Sequence, residues 1–154
     1  MKKTIELNDE KSMTFKSSAA TNILFKRAFH EDILVKLTAY TKNLKELRKM
    51  QSQIAELKED ESKSQEQILE TINTLTSSEA FTSSTTFMNE TLPKLAYVMF
   101  VEANESQETI FNKLNEDSYL AWLLTIDQDE LLAITGQIME VWQMGAKNTS
   151  KPKN

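Results

Sequence analysis

Leu92-Pro93-Lys94-Leu95-Ala96-Tyr97-Val98-Met99-Phe100-Val101 is the stretch on which the fold turns. Pro93 suits the first turn of a helix, where its missing N–H would have no partner anyway, so the stretch predicts a helix running to about residue 103. Every residue from Leu95 to Val101 is apolar, which makes all sides of such a helix hydrophobic, as in a central buried helix. A buried strand of the same length would carry the same pattern, because periodicity does not separate the two over so short a run. The run is also far short of the roughly 20 apolar residues that span a bilayer.

The rest of the chain settles the class. Two Gly and two Pro stand in 154 residues, where average usage would give roughly 12% for the pair. A β-sandwich, a Rossmann unit or a phosphate-binding loop needs glycine where the backbone turns tightly or approaches a phosphate. The expectation is therefore a mainly α protein, a helical bundle carrying a long helical hairpin and a short N-terminal β-hairpin. With 40% hydrophobic residues the chain can build a core, and residues 1–145 are read as one domain.

Upstream of Leu92, Ile5 and Leu7 alternate with Thr4 and Glu6, and Met13 and Phe15 with Ser12 and Thr14. A β-hairpin over about 4–15 follows, turning at Asn8-Asp9-Glu10-Lys11, where Asn and Asp side chains can bond their own backbone. A lone hairpin is marginal in water, so it must lie on helices or pair with another chain. Its open edge is a template for homo-oligomer contacts. Ser17-Ser18 offers an N-cap for a helix from about residue 19, with Ile23, Leu24, Ala28, Phe25 and Phe29 on its apolar side. After a bend near His30, Ile33, Leu34, Leu37, Tyr40, Leu44 and Leu47 predict a long helix over about 32–58. The polar stretch 58–67 marks a turn near Asp60 to Ser64, and Ile68, Leu69, Ile72 and Leu75 resume the stripe in the returning arm. The polar, β-branched segment 82–86 around Phe81 reads as a loop or a helix start.

Downstream, Ser106 opens a short helix with Ile110, Phe111 and Leu114, and Tyr119, Leu120, Trp122, Leu123 and Leu124 form an aromatic-aliphatic patch. Asp127 caps the last helix, with Asp129 and Glu130 placed favourably against its N-terminal dipole. Leu131, Leu132, Ile134, Ile138, Met139, Val141 and Trp142 fill about half of that helix's circumference at ~100° per residue. Gly145 is a natural stop, and residues 146–154 read as a flexible basic tail.

Chemistry is hard to build from these residues. There is no Cys and one His, which removes disulfides, thiolate nucleophiles and Cys- or His-cluster metal sites. His30 and its neighbours Glu31 and Asp32 do not face one another on a helix. Asp127-Gln128-Asp129 opens like a calcium loop, but Leu131, Leu132 and Ile138 stand where ligands or Gly are needed. No enzyme, cofactor or metal is expected. Eighteen basic against twenty-three acidic residues give a net charge of −5, so neither nucleic acid nor an anionic membrane is an expected partner. The basic stripe Lys42, Lys45, Arg48 and Lys49 reads as a solvated helix face. A start at Met1-Lys2-Lys3 lacks the apolar segment of a signal peptide, so the expected location is the cytoplasm.

What remains is surface. The wide apolar face of the last helix, two Trp, and Met13, Met50, Met88, Met99, Met139 and Met144 suit an adaptable protein-binding site, although such stripes more often belong to a core. The candidate protein-binding residues are Leu131, Leu132, Ile138, Met139 and Trp142.

Met13-Thr14-Phe15-Lys16-Ser17-Ser18 followed by Leu24-Phe25-Lys26-Arg27-Ala28-Phe29-His30-Glu31-Asp32-Ile33-Leu34 resembles the opening of the tail assembly chaperones of long-tailed, siphovirus-type phages and prophages of Gram-positive bacteria. In that family an apolar-basic helix ends in Phe-Gly-x-Asp; here His30 stands in place of Gly and Asp32 matches. Leu92 to Met99, and the block from Trp122-Leu123-Leu124 to Trp142, also resemble the family's middle and C-terminal helices. The resemblance implies a non-enzymatic protein that binds the tape measure protein, keeps it soluble and helps recruit tail tube (major tail protein) subunits. It further implies absence from the mature virion and, for many members, a longer frameshifted form, for which codons at Ala146-Lys147-Asn148 could supply a slippery run. Two other readings of the same residues are a structural head-tail connector or completion protein, and a host helical adaptor.

Overall fold

The structure, a computed structural model, describes residues 1–60 and 64–150, with side chains as far as Gln143. It is mainly α with an N-terminal two-stranded antiparallel hairpin, β1 (Lys2–Asn8) and β2 (Lys11–Lys16). The helices are α1 (Thr21–Phe29), α2 (Ile33–Glu59), α3 (Gln65–Thr76), α4 (Glu79–Thr86), α5 (Leu92–Asn104), α6 (Ile110–Lys113), α7 (Glu116–Leu123) and α8 (Gln128–Ser150). A π-helical turn, Phe87–Thr91, leads into α5. The chain forms two compact units, Met1–Leu34 with Glu90–Asn154, and Val35–Asn89.

The first unit is built around α5. Leu92, Leu95, Ala96, Val98, Met99 and Val101 are all buried, as a helix apolar on every side requires. β2 packs on α5 and β1 on α8, while α5 also meets α1 and α8. The hairpin obeys the period-2 rule: Ile5 and Phe15 point into the core while Lys2, Thr4 and Glu6 face out. Its turn is tied as expected, with Glu10 N–H donating to Asn8 Oδ1 at 2.9 Å. α1 starts two residues later than the Ser17-Ser18 cap predicts; the Ser18 hydroxyl instead accepts from Ala20 N–H at 3.1 Å in the turn before the helix. Ile23, expected inside, lies outside, and Thr21, Leu24, Phe25 and Ala28 form the inward face. The bend at His30 is a left-handed residue, φ 58° and ψ 28°, whose N–H donates to Lys26 O. A side chain with a Cβ is strained there by about 1–2 kcal/mol relative to the right-handed region.

The second unit is a helical hairpin with a short third arm. α2 is unbroken because neither Gly nor Pro interrupts it and its apolar residues keep a three- and four-residue spacing. α3 begins with a reciprocal capping box, Ser64 Oγ accepting from Gln67 N–H and Gln67 Oε1 accepting from Ser64 N–H. The expected turn between them falls partly outside the described residues. The segment left open as loop or helix start is α4, begun by Ser78, whose hydroxyl accepts from Phe81 N–H at 3.2 Å. Tyr40 of α2 stacks on buried Phe87 with ring centroids 4.1 Å apart and planes 13° apart.

Gly145 does not end the last helix. α8 continues to Ser150, since one Gly in a helix costs only about 1 kcal/mol and the following Ala146 and Lys147 have high helix propensity. The tail expected from residue 146 therefore begins as helix, and its last four residues, 151–154, lie outside the described residues.

Candidate protein-binding surfaces

α8 starts in a reciprocal cap: Glu130 N–H donates to Asp127 Oδ1 at 2.8 Å and Asp127 N–H to Glu130 Oε1 at 3.2 Å. The other Glu130 oxygen, buried, pairs with Lys11 Nζ at 2.9 Å, and the same ammonium donates to Thr125 O at 2.9 Å. The tip of the β-hairpin is thereby clipped to the corner between α7 and α8. Farther along, Trp142 Nε1–H donates to Asn22 Oδ1 at 2.9 Å and Ser17 Oγ–H to Trp142 O at 3.4 Å. These bonds fix which side of α8 faces the hairpin and α1.

They also decide the candidate residues. Ile138 is 0% and Trp142 6% exposed, both in the core with Ile134 and Val141. The expectation that Ile138 and Trp142 face a partner is corrected: the hairpin and α5 cover this side of α8, because two neighbours bury a wider arc than one. Leu131 and Met139 are half-buried. Only Leu132, 69% exposed, stands in solvent. With it stand Leu120 and, 89% exposed, Leu124 at the end of α7. The four-residue spacing of Leu120 and Leu124 puts them on one face of that helix, a signal present in the sequence within the aromatic-aliphatic patch.

The remaining interior of this unit is aromatic. Rings run in series from Phe25 through Phe29, Tyr119, Tyr97, Trp122 and Phe100 to Phe15, with successive centroids 5.3–6.1 Å apart. Lys94 Nζ lies 5.3 Å over Phe29, and Arg27 Cζ lies 4.4 Å over the half-exposed Phe111. Burial pushes the Tyr119 phenol up to about 12, with Glu90 and Glu116 adding to the shift. Burial also raises Tyr97, opposed by a hydrogen bond with Ser118; its hydroxyl donates to Lys113 O at 2.7 Å. Glu102 is raised chiefly by desolvation, against the hydroxyls of Ser18 and Thr21, each donating to one carboxylate oxygen at 2.7 Å. All three groups are explained by packing.

The second unit carries a less covered apolar surface. In α2, Ile54 is buried, while Leu37, Tyr40, Leu44, Leu47, Met50 and Leu57 are half-exposed. In α3 no residue is buried; Ile68, Ile72 and Leu75 are half-exposed and Leu69 is exposed. Leu57 of α2 and Gln67, Glu70, Thr71 and Thr74 of α3 line one shallow depression, so the arms lie side by side at that end. Two helices cover each other along one line only, and a stripe this wide stays half-open without a further helix. The basic residues Lys42, Lys45, Arg48 and Lys49 are all exposed.

Among the described residues no group of three or more His, Cys, Asp or Glu could hold a metal ion, and no helix is long and apolar enough to cross a membrane. In comparisons with known proteins, no family model, no curated protein and no solved structure matches the chain.

Proposed function

We propose that the chain is a phage tail assembly chaperone, which binds the helical tape measure protein in the bacterial cytoplasm, keeps it soluble, helps recruit tail tube subunits, and is absent from the mature virion. The reading draws on the segment resemblance described above. The observation that carries it is the row of half-exposed apolar residues at helical spacing on α2 and on α3, in a chain of net charge −5. A long amphipathic helix in water needs its apolar stripe covered, and such a stripe is read by anchors at helical spacing laid into a groove of the same spacing. Leu44, Leu47, Leu57, Ile68 and Ile72 offer that spacing. Completing the burial of each half-exposed leucine or isoleucine contributes about 1 kcal/mol. Acidic surface elsewhere keeps the complex soluble. The client-facing role moves from the last helix, whose apolar side is occupied, to the hairpin of the second unit.

The test is co-expression with the large helical product encoded just downstream. The client stays soluble and co-purifies with the wild-type chain. It is lost to the pellet with a Leu47→Asp, Ile72→Asp variant whose helical circular dichroism is unchanged. A client that is soluble alone and does not co-purify overturns the reading.

A further inference from the structure

The outer edge of β1 is open. Residues pair across the hairpin as Lys2 with Lys16, Lys3 with Phe15, Thr4 with Thr14, Ile5 with Met13 and Glu6 with Ser12. One step beyond, Ser17 N–H donates to Met1 O at 2.8 Å. That bond sets the phase of the antiparallel ladder: the odd-numbered residues of β1 bond to β2, and the N–H and C=O groups of Lys2, Thr4 and Glu6 point the other way. The 2.9 Å contact between the Thr4 and Thr14 hydroxyls agrees, since side chains come closest at pairs without backbone bonds. The outward groups of Lys2, Thr4 and Glu6 have no partner among the described residues, and all three residues are exposed. The opposite edge is treated differently, for Asn104 Nδ2 of α5 donates to Thr14 O at 3.0 Å.

We infer that β1 pairs with β1 of a second copy, antiparallel about a two-fold axis through Thr4, joining two hairpins into a four-stranded sheet. The inference is independent of the chaperone reading. Its support is the charge pattern at the open edge. In that register the outward backbone groups of Lys2, Thr4 and Glu6 meet those of the partner's Glu6, Thr4 and Lys2. The same residues share the solvent face of the sheet, so two Lys–Glu pairs flank a central Thr–Thr pair, each a favoured cross-strand neighbour. A two-fold interface must be self-complementary, and Lys2-x-Thr4-x-Glu6 is self-complementary when read against its own reverse. A shift by two residues either way sets Thr4 against Lys2 or Glu6 and loses both Lys–Glu pairs. The buried face is unchanged, because Ile5 stays on the core side.

The experiment is sedimentation velocity on the full chain across a range of protein concentration. The wild type dimerises. Lys2→Glu and Glu6→Lys each place like charges opposite one another at two positions and weaken dimerisation on the order of tenfold. Mixed in equal amounts, the two variants regain dimers, since each supplies the charge the other lacks. A wild type that stays monomeric overturns the inference, as does a dimer indifferent to both substitutions or a mixture no more dimeric than its components. Hydrogen exchange gives a second reading that needs no variant: the Lys2, Thr4 and Glu6 amides exchange more slowly as wild-type concentration rises. Exchange that ignores concentration overturns the inference.

Discussion

Ile138→Ala tests the orientation of α8, the point at which the structure departs most from the periodicity of the sequence. Ile138 is 0% exposed. The substitution removes three carbon groups, each worth about 0.8 kcal/mol when buried. With the residual cavity the loss is about 3–4 kcal/mol, inside the ~2–5 kcal/mol span of large-to-small core changes. Leu132→Ala on the same helix, at 69% exposure, should stay within about 0.5 kcal/mol. Urea unfolding followed by tryptophan fluorescence suits the comparison, because Trp122 and Trp142 both lie buried in the unit that holds α8. At an m-value of about 2 kcal/mol per molar the Ile138→Ala midpoint falls by about 1.5–2 M with m unchanged. If the two substitutions move the midpoint equally, α8 does not pack as described and Ile138 returns to the list of surface candidates.

Lys11→Met leaves the Glu130 carboxylate buried without its cation and should cost about 1–3 kcal/mol in chemical unfolding, the lower end reflecting the partly exposed lysine; adding Glu130→Gln should recover most of it, and no recovery would show that Lys11 acts by packing alone. Glu102 has a folded-state pKa raised above its ordinary 4.5, so the folded chain holds its proton more firmly than the unfolded one. Its stabilising contribution is therefore full below pH 4.5 and lost as pH rises through the raised value; the stability of Glu102→Gln, followed against pH, should lack that decline, and parallel profiles would refute the assignment. His30→Gly relieves the left-handed backbone and should leave thermal stability unchanged or raise it by about 1 kcal/mol, whereas His30→Val should lower it by about 1–2 kcal/mol.

Much of the architecture was legible where one principle acted alone. The long α2 could be read almost to the residue, because an uninterrupted three-and-four spacing has no competing pattern, and α5 because nothing polar breaks its circumference. The Asp127 cap and the bend at His30 were equally local. Errors arose where tertiary context decided between equivalent readings. Ile138, Met139 and Leu132 look alike in a helical projection, and only α5 and the hairpin, the latter brought to α8 from more than a hundred residues away, make the first core and leave the last in solvent. Gly145 misled because an intrinsic penalty of about 1 kcal/mol does not stop a helix whose next residues favour it. The apolar stripes of α2 and α3 were visible as periodicity, but their incomplete cover depends on how few helices pack there.

The way Trp142 is tied to Asn22 and Ser17 has a consequence for synthesis. The first unit is discontinuous in sequence, with its hairpin and α1 made first and the helix that covers them made last. At the ~5–20 residues per second of translation, the inward face of Ile5 and Phe15 waits several seconds for α8. The second unit, wholly contained in residues 35–89, is complete well before that. Newly made chains thus pass through a stage in which every residue of the second unit is present while the first unit still lacks α8. Any ligand or partner copy that reaches β1 during this interval meets the hairpin before the helix that will support it exists.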